Sequence, residues 1–100
     1  MQLRKRGILE IIACMLECLR GEPLKKTHLT YRAGVDTRTA ARYISFLTQF
    51  DFVENSGDED SLFVITEKGR EFLMIYESLL KTFGAGEVPV FDIKVSNLPA

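Results

Sequence analysis

The chain has 100 residues, which suits one domain with a modest core and favours oligomerisation as a way to bury more apolar surface. No apolar run approaches the roughly 18–20 residues of a membrane span, so we expect a cytoplasmic protein without membrane contact. The formal net charge of −1 is unevenly spread: residues 1–50 hold nine Lys/Arg against four Asp/Glu, and residues 51–100 hold four against ten. The basic first half is compatible with nucleic-acid binding, which depends on a local basic face.

The residues that usually carry chemistry are few. His28 is the single histidine, so one chain cannot assemble a histidine cluster. Cys14 and Cys18 stand four apart, unlike the C-x-x-C spacing of redox or zinc sites, and are interpreted as small apolar residues on one helical face. No Ser/His/Asp pattern and no phosphate-binding glycine loop occurs. The sequence therefore predicts no enzyme, no metal site and no cofactor.

Apolar residues at spacings of three and four predict a first helix from about Arg4 to Arg20. Its buried face comprises Ile8, Ile11, Ile12, Met15, Leu16 and Leu19. A wider apolar arc is added by Leu9, Ala13, Cys14 and Cys18. This arc indicates a second packing surface, such as another subunit. Gly21 and Pro23 mark the end of the helix.

The stretch Lys26–Val53 predicts two helices joined by a tight turn at Ala33-Gly34-Val35-Asp36, a helix-turn-helix. Before it, Leu24-Lys25-Lys26 is a short basic connector, and Thr27 is the predicted N-cap of the first of these helices. Asp36 is the predicted N-cap of the second, because its carboxylate accepts backbone N–H bonds and complements the positive helix end.

The second of these helices, from about Thr37 to Phe50, has two distinct faces. The inward stripe comprises Ala40, Tyr43, Ile44 and Leu47. The outward side comprises Thr37, Arg38, Ala41, Arg42 and Ser45. Small side chains allow close approach to a duplex and arginine bonds phosphates or guanine edges, so this face suits the major groove. An ordinary solvated helix surface is the alternative interpretation.

Two β-prone runs follow, Phe52-Val53-Glu54 and Leu62–Ile65, separated by a turn-rich segment that predicts a hairpin. A helix-turn-helix followed by a hairpin is the winged-helix arrangement. The tip of this wing carries Asp58, Glu59 and Asp60, which phosphate would repel. We therefore expect the wing tip not to bind DNA.

Thr66 is the predicted cap of a last helix that ends before the Gly84-Ala85-Gly86 break. The helix has two apolar seams, of which a core needs one, so the second predicts a homodimer interface. A helix buried in the core of its own domain is the alternative interpretation. The interface residues are Phe72, Tyr76, Leu79, Leu80 and Phe83. The chain thus divides into a winged domain at 1–83 and an extended tail at 84–100, which lies over a domain or is flexible.

Three motifs resemble the small archaeal winged helix-turn-helix regulators, over about residues 5–82. The first begins the helix-turn-helix with Lys26, Thr27, Leu29, Tyr31 and Ala33. The second ends the recognition helix with Arg42, Tyr43, Ile44 and Leu47. The third follows the wing with Ile65, Thr66, Lys68, Gly69, Phe72 and Leu73. The resemblance implies a mainly α fold with a small β hairpin and a homodimeric DNA-binding protein, related to the archaeal coiled-coil chromatin proteins.

The leading hypothesis is a dimeric transcriptional regulator that binds double-stranded DNA. The predicted contact residues are Thr37, Arg38, Thr39, Arg42 and Ser45 in the groove, and Lys25, Lys26, Arg4, Lys5 and Arg6 on phosphates. Two alternatives stay open, a protein-docking module and an architectural chromatin protein, because a winged-helix fold does not fix function. The sequence contains no polar cluster that marks an effector pocket.

Overall fold

The computed structural model describes residues 7–57 and 61–83. Within them the elements are α1 (Ile8–Gly21), β1 (Leu24–Lys25), α2 (Lys26–Ala33), α3 (Thr37–Gln49), β2 (Val53–Asn55), β3 (Leu62–Ile65) and α4 (Glu67–Phe83). The predicted basic arm at 4–6, the acidic wing tip at 58–60 and the tail at 84–100 lie outside the described residues. None of the described helices is both long enough and apolar enough to pass through a membrane.

The three strands form one antiparallel sheet in the order β1-β3-β2. β2 and β3 are the two arms of the predicted hairpin, with Val53 opposite Ile65 and Asn55 opposite Phe63. β1 corrects the sequence interpretation of Leu24 and Lys25 as a connector, because these residues pair with Phe63 and Leu62 of β3. The segment between α1 and α2 is therefore fixed to the wing by backbone hydrogen bonds.

A single apolar core joins the helices to the sheet. Met15 and Leu16 of α1, Leu29 of α2, Leu47 of α3 and Leu73 of α4 are at most 2 % exposed. Every helix contributes a fully buried side chain to the same cluster. Unfolding of one helix would therefore expose apolar side chains of the other three to water. The predicted inward face of the first helix is correct at Ile12, Met15, Leu16 and Leu19, which are buried, whereas Ile8 and Ile11 are half-buried.

Two predicted helix starts are wrong. α1 begins at Ile8 rather than near Arg4, because Gly7 is extended and its backbone N–H donates to Oε1 of Glu10 at 3.2 Å. α2 begins at Lys26 rather than after a Thr27 cap, since the extended residue before the helix is Lys25, whose backbone belongs to β1. Sheet pairing thus sets where α2 begins.

Candidate nucleic-acid interface

The position of α3 is fixed by its buried stripe. Ala40 and Leu47 are fully buried, Tyr43 and Ile44 are nearly so, and the predicted inward face is confirmed. Phe46 is also buried and its ring lies 4.7 Å from that of Phe50 at the helix end. The helix therefore cannot rotate about its axis without moving large side chains out of the core.

The turn before α3 ends one helix and starts the next. Gly34 has φ of 70°, the left-handed conformation that glycine adopts readily, and its N–H donates to the carbonyl of Tyr31 at 3.1 Å. Asp36 is the N-cap, as predicted: its Oδ1 accepts the Thr39 N–H at 2.7 Å. The Thr39 backbone and side-chain hydrogen bonds hold the pKa of the Asp36 carboxyl below its ordinary value, with a smaller contribution from the Arg38 charge.

The side of α3 that faces away from the core matches the predicted outward set. Thr37, Arg38, Arg42 and Ser45 are exposed, and Ala41 is half-buried. Thr39 is half-buried and its backbone N–H is bonded to the cap. Arg38 and Arg42 are four residues apart, so both guanidinium groups extend from one face of the helix. The result is an exposed cationic surface on a rigidly held helix.

The start of α2 adds a second basic element. Lys25 and Lys26 are exposed, and Lys26 lies in the first turn of α2, where its carbonyl accepts the Thr30 hydroxyl at 2.7 Å. Tyr31 is 86 % exposed. Arg32 is paired with Glu22 across 3.1 Å.

Four of the predicted dimer residues of α4 are half-buried and one is exposed. Phe72 and Tyr76 are half-buried: their rings stack 6.1 Å apart, and Phe72 lies 5.5 Å from Phe52. Leu79 and Leu80 are half-buried, and Phe83 is 44 % exposed. The sequence interpretation did not include Ile75 in this set, although its side chain is 63 % exposed. The neighbouring Met74 is 62 % exposed.

A family model described as winged helix-turn-helix matches residues 5–83. The chain belongs to the winged helix-turn-helix family. The predicted resemblance and the predicted winged helix-turn-helix fold, mainly α with a small β hairpin, are thereby confirmed. Family membership gives α2 and α3 the topological position of a helix-turn-helix and the β2–β3 hairpin that of the wing.

Two solved structures are similar to this chain. The DNA-binding protein Sso10a-2 of Sulfolobus solfataricus has 25 % sequence identity and a TM-score of 0.69, over 78 % of this chain and 82 % of that one. The multiple antibiotic-resistance repressor MarR of Listeria monocytogenes has 17 % identity and a TM-score of 0.58, over 73 % of this chain and 57 % of that one. At that identity, MarR shows a shared fold alone.

Two relatives come from Methanocaldococcus jannaschii. The uncharacterized protein MJ0290 is 30 % identical over 77 % of this chain, and the matched region is 35 % of its own length. The uncharacterized protein MJ0287 is 30 % identical over 79 % of this chain and 75 % of its own length. The chain therefore spans about a third of MJ0290 and three quarters of MJ0287.

Proposed function

We propose that this winged helix-turn-helix protein is a transcriptional regulator that binds double-stranded DNA as a homodimer, with α3 in the major groove. The observation that carries the proposal is the exposed face of α3, where Arg38 and Arg42 extend from a helix held by a buried stripe. The likeness to Sso10a-2, described as a DNA-binding protein, supports it.

The chemistry of this face fits base reading. An arginine can bond O6 and N7 of guanine through two parallel N–H groups, which discriminates against a wrong base by about 1–3 kcal/mol. Thr37 and Ser45 are short and exposed, so they permit close approach and supply hydroxyl groups for phosphates or base edges. A fixed helix loses little conformational entropy when it docks, which favours binding.

Phosphate contacts would orient the domain on the duplex. Lys25 and Lys26 stand at the start of α2, and the basic arm of Arg4, Lys5 and Arg6 precedes α1. We assign these cations to the sugar-phosphate backbone, where they release counterions without reading sequence.

Dimerisation through α4 would give the complex two-fold symmetry. The proposed interface comprises Phe72, Tyr76, Leu79, Leu80 and Phe83, extended by the exposed Ile75. A symmetric dimer would place two copies of α3 on half-sites about one helical turn, or ~34–36 Å, apart. Regulation then follows from occupancy of a two-fold related operator.

The test is selection of bound duplexes from a genomic fragment pool, followed by fluorescence anisotropy on the selected sites. We expect an Arg38→Ala/Arg42→Ala variant to bind at least ~30-fold more weakly, since it lacks two base contacts worth at least ~1 kcal/mol each. The matched control is Arg70→Ala/Lys81→Ala, which removes the same charge from exposed positions of α4 and should retain selectivity.

Three outcomes would contradict the proposal. Unchanged binding by the Arg38/Arg42 variant would remove α3 from the interface. Tight binding without any preferred sequence would favour an architectural chromatin protein. Failure to bind any duplex at low salt, together with stable capture of one protein partner, would favour the docking module.

A further inference from the structure

The two cysteines lie on one face of α1, near its contact with α2. Cys14 and Cys18 lie one helical turn apart on α1, both half-buried and both free thiols. Cys14 Sγ donates to the carbonyl of Ala33 at 3.9 Å. Ala33 is the last residue of α2, so the pair lies directly behind the helix-turn-helix.

Solutes can reach Cys14. An open groove of about 340 Å³ runs between α1 and α4, and Cys14 is part of its wall. The remaining lining residues are Glu10, Ala13, Glu17, Leu73, Tyr76, Glu77 and Leu80. The groove carries carboxylates on its walls, which attract cations. A positive ion therefore has a route to a thiol that does not require the core to open.

An internal disulfide does not suit this geometry. Helical positions four apart have Cβ atoms about 5–6 Å apart, whereas a disulfide requires about 3.5–4.5 Å. Bridging Cys14 and Cys18 would distort α1, whose neighbouring residues Met15 and Leu16 are fully buried. The pair is thus better suited to binding one bridging ion than to forming a disulfide.

The number of available ligands narrows the choice of ion. Structural zinc and iron–sulfur sites use four ligands. Among residues 7–57 and 61–83, no group of three or more His, Cys, Asp or Glu side chains could hold a metal ion. Cysteine sulfur favours Cu(I), zinc and iron–sulfur clusters, and of these Cu(I) is the soft cation that does not need four ligands.

We propose that Cys14 and Cys18 bind one Cu(I) ion per chain as a two-coordinate bis-thiolate. Both S–H bonds break, two protons pass to solvent and two Cu–S bonds form, so no electrons are gained or lost. The product carries one negative charge at the sulfurs, which the Arg32 guanidinium favours and the Glu17 carboxylate opposes. Cys14 and Cys18 lack the C-x-x-C spacing that is typical of zinc sites. Their spacing of four positions does not prevent two-coordinate binding of Cu(I).

Ion binding would also change the packing of α1 against α2. The hydrogen bond from the Cys14 thiol to the Ala33 carbonyl would be lost, because binding removes the thiol proton.

The test titrates reduced full-length protein with Cu(I) without oxygen, in competition with a coloured Cu(I) chelator. We expect one ion per chain, with an affinity that does not depend on protein concentration. Cys14→Ser and Cys18→Ser should each weaken binding by ~100-fold or more, since even an outer-shell partner contributes 10–100-fold. The control is Met74→Leu, which removes an exposed thioether on α4, away from the two cysteines of α1. This variant should bind Cu(I) as the wild type does.

A second measurement on the unaltered protein covers the case in which a serine variant fails to fold. One equivalent of Cu(I) or Ag(I) should protect both cysteines from iodoacetamide, as read by mass spectrometry of the peptides. One ion per two chains, protection of a single cysteine, or unchanged affinity in either serine variant would overturn the proposal.

Discussion

The carbonyl oxygen of Phe52 packs against the α-carbon of Gly69, where no side chain fits. A Cβ added at Gly69 would meet this oxygen and would lie 2.7 Å from Cγ1 of Ile65. Thr66 caps α4 at the same place: its hydroxyl accepts the Gly69 N–H at 3.1 Å. Lys68 Nζ lies 5.5 Å from the centre of the Phe52 ring. Thr66, Lys68 and Gly69 therefore make the contacts that hold the start of α4 against the wing.

Substitution of Gly69 by alanine should destabilise the fold. We expect a loss of about 1–3 kcal/mol from the forced displacement of backbone, larger than the helix-propensity gain of at most ~1 kcal/mol. Urea unfolding followed by circular dichroism measures the difference. Gly21→Ala is the matched control, because a Cβ there meets nothing within 4 Å. Equal stability of the two variants would show that the Phe52 carbonyl can move freely.

The Asp36 cap predicts a specific pH dependence. Its pKa is lower in the folded protein, so the carboxylate contributes stability above its unfolded pKa of about 4, and this contribution is lost as pH falls through the folded value. Asp36→Asn keeps a capping side chain without the titration. We therefore expect the wild type to be more stable than this variant near neutral pH, with the difference shrinking below about pH 4.

Thermal unfolding of both proteins between pH 7 and pH 3 measures this effect at constant ionic strength. Thr48→Ala, a variant at an exposed position near the other end of α3, should give a difference from wild type that does not vary with pH. If the difference in stability between wild type and Asp36→Asn did not change with pH, the assignment of the low pKa to the Asp36 cap would be contradicted.

Local signals explain which parts of the fold the sequence predicts. Asp36 and Thr66 act within three residues of themselves, so their capping roles can be inferred from the chain alone. The periodic stripe of α3 likewise identifies its buried side, and hence the exposed side that carries Arg38 and Arg42. The candidate groove-reading face is therefore recognisable from the amino-acid pattern by itself.

Long-range pairing explains the errors at β1 and at the start of α2. Leu24 and Lys25 form a strand because Phe63 and Leu62 lie opposite them, and two residues carry no detectable alternation. That pairing makes Lys25 the N-cap of α2 and displaces the start predicted from Thr27. The exposure of Ile75 likewise depends on how α4 packs, which its apolar pattern does not specify.

Lys25 and Lys26 should contribute to DNA affinity without reading sequence. A double alanine variant should lower the slope of log K against log salt by about 1.8, because each lysine–phosphate pair contributes about 0.9 to that slope. Anisotropy between about 50 and 200 mM salt measures the slope on two unrelated duplexes. Affinity should fall by the same factor on both. A change of sequence preference, or an unaltered slope, would contradict the assignment to phosphates.

The proposed dimer interface on α4 can be tested at two neighbouring residues of nearly equal exposure. Ile75 is 63 % exposed and Met74 is 62 % exposed. One position turns an α-helix by about 100°, which places Ile75 beside Leu79 and Phe83, and Met74 away from them. We expect Ile75→Glu to abolish the dimer, because two copies of the charge would be brought together in an apolar interface. Met74→Glu should remain dimeric.

Sedimentation velocity at several protein concentrations measures the mass of each variant, and circular dichroism verifies that both are folded. The Ile75→Glu monomer should keep the helical content of the wild type, since its side chain lies outside the core formed around Leu73. It should also lose affinity for paired half-sites while retaining weak binding to one. If Met74→Glu dissociates and Ile75→Glu does not, the interface lies on the other side of α4.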